Sequence, residues 1–424
     1  MPAKLPGNLL NKPSEAYLAL GAMSGTSTDG VDVCLMAFQP DGTFARFVGT
    51  HHEPFTEELR NTLLRLQRIP ASWPADQDPF DVLMCASTAL ADVHVVAARA
   101  LLEQTALTPA EIAVFGVHGQ TIRHNPAQGY TFQVIDAARV AAQLRIAVVH
   151  DLRAKDVAMG GQGAPLAPSF HRAWLEHHAC LRSAAPVSDA NVFDTQGGLA
   201  PNATISVLNL GGFSNLSVLP AKGPLLGGDC GPANCLMDYW AQTRFSLECD
   251  RNGDIARTGL VHEALLQALL KHPFFQQPWP ASTGREAFDG RWVEATINAL
   301  PGHCATPSDA DVMRTLLELT VRTVINRLAA QFLEQSLQES ERMVLVCGGG
   351  VHNSLLIERF AQMLPGCKWS TFEDFGLPSQ AVEAALFAWL ASCWLQQKPA
   401  IEISTTGASL PSVAGSLFLA DSLN

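Results

Sequence analysis

Two carboxylates and four hydroxyls crowd the nine residues Ser24-Gly25-Thr26-Ser27-Thr28-Asp29-Gly30-Val31-Asp32. An apolar strand, Tyr17 to Met23, leads into this segment, and a second, Val31 to Phe38, leads out. Gly25 and Gly30 let the backbone turn tightly and approach a ligand with no Cβ in the way. A strand-turn-strand rich in N–H and O–H donors, with an acid at its tip, suits a phosphate tail held with a divalent cation. Asp29 is the candidate magnesium ligand. An ordinary hairpin turn is the plainer alternative, but it requires neither the acids nor so many hydroxyls.

The theme recurs. Ile205 to Leu210 reads as a strand, Gly211-Gly212-Phe213-Ser214-Asn215 as a turn, and Leu216 to Leu219 as a strand. Gly211, Gly212, Ser214 and Asn215 form the second candidate phosphate grip, which suggests a duplicated architecture. Gly348-Gly349-Gly350-Val351-His352-Asn353 follows the buried strand Met343 to Cys347 and opens a helix. Three consecutive glycines are entropically costly. They admit close approach of a flat ligand such as adenine and its ribose, or else make a tight strand-to-helix turn.

Asp229 lies in Gly227-Gly228-Asp229-Cys230-Gly231-Pro232-Ala233-Asn234, read as a glycine turn ahead of a helix over Cys235 to Thr243. It is either the helix N-cap or a general base facing a cleft. Val117-His118-Gly119-Gln120-Thr121-Ile122-Arg123-His124, and Asp151 to Arg153 with Gly160-Gly161-Gln162-Gly163, are dense in planar polar groups of the kind that recognise sugar hydroxyls. His118, Gln120, Thr121, Arg153, Gln162 and Gly163 are the candidate substrate contacts. The spacing of His118 and His124 does not favour a metal. Arg123 and Arg153 either pair with a substrate carboxylate or make surface salt bridges. Ser282-Thr283-Gly284-Arg285-Glu286 either touches substrate or caps a helix.

No lysine is followed by Ser or Thr, so a Walker loop is absent, and no G-x-G-x-x-G opens a helix. The net charge of -12 argues against nucleic acid or an anionic membrane as partner. Ten cysteines without regular spacing, several in apolar runs, suit a reducing compartment. The polar start, Met1 to Ser14, carries no apolar signal core, and no 18-residue uncharged apolar run occurs. A cytoplasmic protein is expected.

Positioning these groups requires strands alternating with helices, an α/β chain too long for one simple core. Helices are expected at Phe80 to Leu102, Pro165 to His178, Asp311 to Leu337, Asn353 to Leu364 and Pro378 to Leu395, and further strands at Ile112 to Val117, Thr131 to Ile135 and Ile146 to Val149. The polar, small-residue stretch from Ala184 to Ala203 reads as a surface insertion.

Taken together and in order, the segments 25–32, 118–121, 160–166, 208–215, 229–232, 282–286 and 347–350 resemble the anhydro-N-acetylmuramic acid kinase family, within the sugar kinase, heat-shock ATPase and actin superfamily. The resemblance implies a two-lobed fold of duplicated mixed sheets flanked by helices, with an interlobe cleft. The first lobe is expected over 1–150 with a tail from about 410 to 424, and the second over 151–409. It implies ATP and Mg2+ as cofactors and a homodimer. It also implies hydrolytic opening and O6 phosphorylation of 1,6-anhydro-N-acetylmuramic acid in peptidoglycan recycling. The family's general base falls on Asp229 and a substrate-end acid on Glu383. Many members carry Lys where this chain has Ala281.

Overall fold

The computed structural model describes residues 13–25, 28–67, 73–74, 76–184, 204–284, 287–302 and 304–420. Thr26, Ser27, Arg285, Glu286 and most of the 184–203 insertion lie outside them. The strands are β1 (Tyr17–Met23), β2 (Gly30–Phe38), β3 (Phe44–Pro54), β4 (Ile112–Val117), β5 (Gln120–Asn125), β6 (Tyr130–Val134), β7 (Val148–His150), β8 (Thr204–Leu210), β9 (Phe213–Leu219), β10 (Leu226–Pro232), β11 (Arg342–Cys347), β12 (Lys368–Thr371) and β13 (Ser416–Phe418).

The chain forms two compact units, residues 1–178 with 381–424, and residues 179–380. The first contains a sheet in the order β13-β7-β4-β1-β2-β3, the second a sheet in the order β10-β9-β8-β11-β12. In each, three antiparallel strands are followed by two parallel ones, so β3-β2-β1-β4-β7 and β10-β9-β8-β11-β12 have the same plan. The duplication expected from the two hairpins is present in the topology. Parallel pairing needs crossovers, and helices supply them. The helix Pro79–Gln104 is one. It is long and apolar enough to cross a membrane by length and composition, yet it buries Leu90, Val95, Leu101 and Leu102 in the core of the first unit.

The boundaries differ from the expected 150 and 409. Phe170 and Trp174 pack against Phe44 of β3, which keeps the helix that begins at Ala167 in the first unit. Val382–Leu395 returns across β1, β2 and β4. This helix is apolar nearly all round and buried on most of its surface, as such composition requires. Its close seat depends on Gly21 and Gly116, where a Cβ would overlap the carbonyls of Ala384 and Phe387. It begins at Val382 rather than Pro378, after a 3-10 turn over Ser379–Ala381.

The second core is organised by Asp309–Glu334, capped by Ser308 and Asp311. Its buried Glu318 accepts from Arg322 at 2.8 Å and from Arg359 at 3.0 Å, tying this helix to Ser354–Met363.

Candidate active site

In the first unit β1 and β2 meet at a turn that closes on a residue with positive φ. Thr28 is buried with φ at 54°, and its N–H donates to Gly25 O at 3.2 Å. Gln120 braces the turn from β5: its Oε1 accepts from Ser24 Oγ, and its Nε2 donates to Gly25 O at 3.1 Å. Gln120 is 1% exposed, with both ends of its amide engaged by the hairpin it braces. Asp29 projects at the exposed tip. Val31 is buried core. Asp32, opposite His52 on β3, accepts from His52 Nδ1–H at 2.8 Å. That bond holds the His52 imidazolium above its ordinary pKa against partial burial, with Asp29 and Glu53 adding attraction. Gly30 lacks a Cβ because the His52 ring and Glu53 O fill that space. His52 is absent from the sequence reading, since only the strand pairing brings it here.

A second group in the same unit gathers around Arg153. Its Nε–H donates to His118 Nε2 at 2.9 Å and its Nη1 to Gly163 O at 2.8 Å. His118 Nδ1–H donates to Gly119 O at 2.7 Å, which fixes the neutral tautomer. Burial first, then Arg153, keeps the imidazole well below its ordinary pKa. Burial lowers Arg153 itself to about 10, opposed by Glu383 and Asp156, so it stays cationic at neutral pH. Glu383, exposed in the first turn of Val382–Leu395, is thus brought to Arg153 by the return of that helix. Gln162 and Gly163 are held here too. Gly163 N–H donates to Asp156 Oδ2 at 2.7 Å, Thr406 Oγ1 to Asp156 Oδ1 at 2.6 Å, and Gln162 N–H to Thr406 O at 2.7 Å. Asp156, which the sequence did not single out, organises that loop. Thr121 pairs with Gln133 across β5–β6 and its carbonyl accepts from Gln67. Among the described residues Arg123 makes no surface salt bridge. Its guanidinium donates to the carbonyls of Leu66 and Gln67 at the end of the helix Glu57–Gln67, as cations at helix C-termini do.

In the second unit Asp229 is not in a turn and caps no helix. It lies within β10, and the helix Asn234–Phe245 starts at Ala233 without a side-chain cap. The pairing of β10 with β9 shifts register between Asp229 and Gly231, a β-bulge with Gly231 at φ 141°. Bulges re-aim a side chain beside them. Asp229 N–H donates to Ala281 O at 2.8 Å, and Asp229 Oδ2 accepts from Thr283 N–H at 2.8 Å. Asp229, Asn215 and Asn209 are direct partners across β10, β9 and β8, so they form one row on one face.

That row ends at the glycine turn. A Cβ on Gly348 would overlap Asn209 Oδ1, and one on Gly350 would lie 2.6 Å from Leu210 Cβ. A Cβ on Gly349 would meet nothing within 4 Å, so the space beside it is open. Asn353 is buried as the N-cap of Ser354–Met363, accepting from Leu356 N–H at 3.1 Å. The β8–β9 turn is anchored by Asn234, whose Nδ2 donates to Leu210 O and Gly211 O at 3.0 and 2.9 Å. Gly212 O accepts from Ala233 and Cys235 N–H. Ser214 is turned inward and fully buried, donating to Gly231 O at 3.1 Å.

Among the described residues no three His, Cys, Asp or Glu side chains cluster as a metal cage. Magnesium commonly needs only one or two carboxylates, completed by phosphates and water, and the exposed Asp29 meets that requirement.

The anhydro-N-acetylmuramic acid kinase family profile matches residues 17–188 and 192–420. A protein of that name from Pseudomonas fluorescens (strain Pf0-1) is 40% identical over 95% of this chain and 99% of its own. Its namesakes from Idiomarina loihiensis, 38% identical over 94% and 98%, and from Neisseria meningitidis serogroup B, 36% identical over 95% and 98%, are similar over the same extent.

Proposed function

Because this chain belongs to the anhydro-N-acetylmuramic acid kinase family, we propose that it converts ATP, water and 1,6-anhydro-N-acetylmuramic acid to ADP and N-acetylmuramate 6-phosphate. The reaction serves peptidoglycan recycling. The observation that carries the assignment of roles is Asp229, set at a β-bulge and oriented by the Thr283 N–H.

The carboxylate of Asp229 takes a proton from water as that water attacks the anomeric carbon. The C1–O6 ether bond breaks, and its electron pair stays on O6. O6 attacks the γ-phosphoryl group, and the bond to the β,γ-bridging oxygen breaks to release ADP. Phosphorus captures the charge developing on O6, so no strong acid is needed at the ether. Attack opposite the leaving oxygen inverts the anomeric centre. Most of the remaining catalysis is positioning and charge stabilisation. In this reading Gly25 to Asp32 are the phosphate grip of the first unit; in the second unit Gly211, Gly212 and Asn215 are a phosphate grip and Gly348 to Gly350 take the adenosine. His118, Thr121, Arg153, Gln162, Gly163 and Glu383 hold the sugar. Arg153 is the cation suited to its carboxylate. Asp29 would hold magnesium, which when bound neutralises phosphate charge. The cytoplasmic homodimer expected of the family is part of the same proposal.

A coupled assay of ADP release with ATP, magnesium and the anhydro sugar tests the activity; no sugar-dependent release rejects it. The phosphate reading has its own test. Asp29→Asn is expected to weaken magnesium–nucleotide binding about tenfold, about 1.4 kcal/mol, with sugar affinity unchanged. Calorimetry with each ligand separately measures both, and an unaltered nucleotide affinity counts against the hairpin.

A further inference from the structure

The bulge that carries Asp229 is gripped by one segment of the second unit, Phe275 to Thr283. Two glycines flank the acid, and each admits an aromatic ring from this segment. A Cβ on Gly228 would lie 2.8 Å from Trp279 Nε1, and one on Gly231 2.7 Å from Phe275 Cε1. The same segment then pairs with the edge of β10. Ala281 O accepts from Asp229 N–H and Thr283 N–H donates to Asp229 Oδ2, both at 2.8 Å. β10 is the terminal strand of its sheet, so its outer edge is available for this pairing. The indole N–H of Trp279 is buried and has no hydrogen-bond partner among the described residues. A buried unpaired donor is unfavourable, so hydrogen bonding does not account for the placement of this ring; its fit against the Gly228 backbone does.

We propose that Phe275–Thr283 is a clamp that positions the Asp229 carboxylate, with Trp279 and Thr283 as positioning residues. The proposal rests on Asp229 being the general base. Thr283 acts through its main chain, so what matters is where the segment sits. Trp279 sets that placement through its contact with Gly228. An N–H donated to a carboxylate favours its charged form, the form a base needs.

Trp279→Ala and Gly228→Ala test this, with Asp229→Asn alongside. Loosening the clamp is expected to lower kcat about ten- to hundredfold, the scale of a misplaced catalytic group. The sugar KM and the nucleotide Kd stay near wild type. The acid limb of the pH–rate profile moves to higher pH, because the carboxylate loses its donor. Since both changes act on one contact, the double variant should be no worse than Trp279→Ala alone. If Gly228→Ala does not fold, Trp279→Ala carries the test by itself.

An unchanged kcat and acid limb in Trp279→Ala, with Asp229→Asn inactive, overturns the clamp and spares the base. Equal loss of nucleotide affinity and turnover with an unmoved acid limb marks a merely structural segment and also overturns it. Retained turnover in Asp229→Asn removes the base and the clamp together.

Discussion

Asp229→Asn should lower turnover by about 10²–10⁴-fold, the usual contribution of a general base, while ATP binds as before. The substitution is close to isosteric, and its amide oxygen can still accept from the Thr283 N–H that now meets Asp229 Oδ2 at 2.8 Å. Backbone pairing of residue 229 with Ala281 is untouched. The change therefore isolates proton acceptance from placement. Single-turnover kinetics together with nucleotide titration separate the two. Near-normal turnover eliminates Asp229 from the chemistry; equal loss of nucleotide affinity shows that its charge serves binding.

Gly21→Ala is expected to destabilise the first unit by about 3 kcal/mol, the upper part of the range for overpacking. One methyl group is enough because both neighbours are backbone. Its Cβ would overlap Ala384 O and Ala388 N in the returning helix. β1 cannot retreat, since it is bonded to β2 on one side and β4 on the other. The same helix carries Glu383 to Arg153, so partial accommodation should raise the sugar KM as well. Thermal unfolding should show a Tm lowered by roughly 6–12 °C for a unit of this size. An unchanged Tm would mean that the helix does not seat on β1 as described.

What was legible in the sequence is what local pattern encodes. Tyr17 to Phe38 and Ile205 to Leu219 announce strand-turn-strand through apolar runs broken by glycine, and both are present. The α/β class and its duplication follow from them. Asp229 misled because Gly227-Gly228 and Gly231-Pro232 read as turn signals. Here those glycines instead let aromatic rings close on an edge strand, and the partner segment lies fifty residues on, with |i−j| of 54 for the Thr283 bond. Gln120 read as a sugar contact because its amide is polar. Its partners, Ser24 and Gly25, are remote in sequence, so nothing local told that both ends of the amide were engaged. Arg123 capping a helix 57 residues earlier, His52 beside Asp32, and Asp156 beneath the 160–163 loop are likewise products of tertiary pairing. The limits of the first unit, 178 and 381 rather than 150 and 409, also follow from tertiary contacts: Phe170 and Trp174 pack on Phe44, and Val382–Leu395 returns to the first sheet over glycines whose function appears only once the helix is seen above them.

Turnover in ¹⁸O-enriched water, quenched before the sugar exchanges with solvent, follows the attacking oxygen itself. Mass spectrometry of the product should find a single heavy oxygen, on the anomeric carbon, and none in the phosphate. An unlabelled sugar phosphate, or label carried on phosphorus, would contradict ring opening by water and the role given to Asp229.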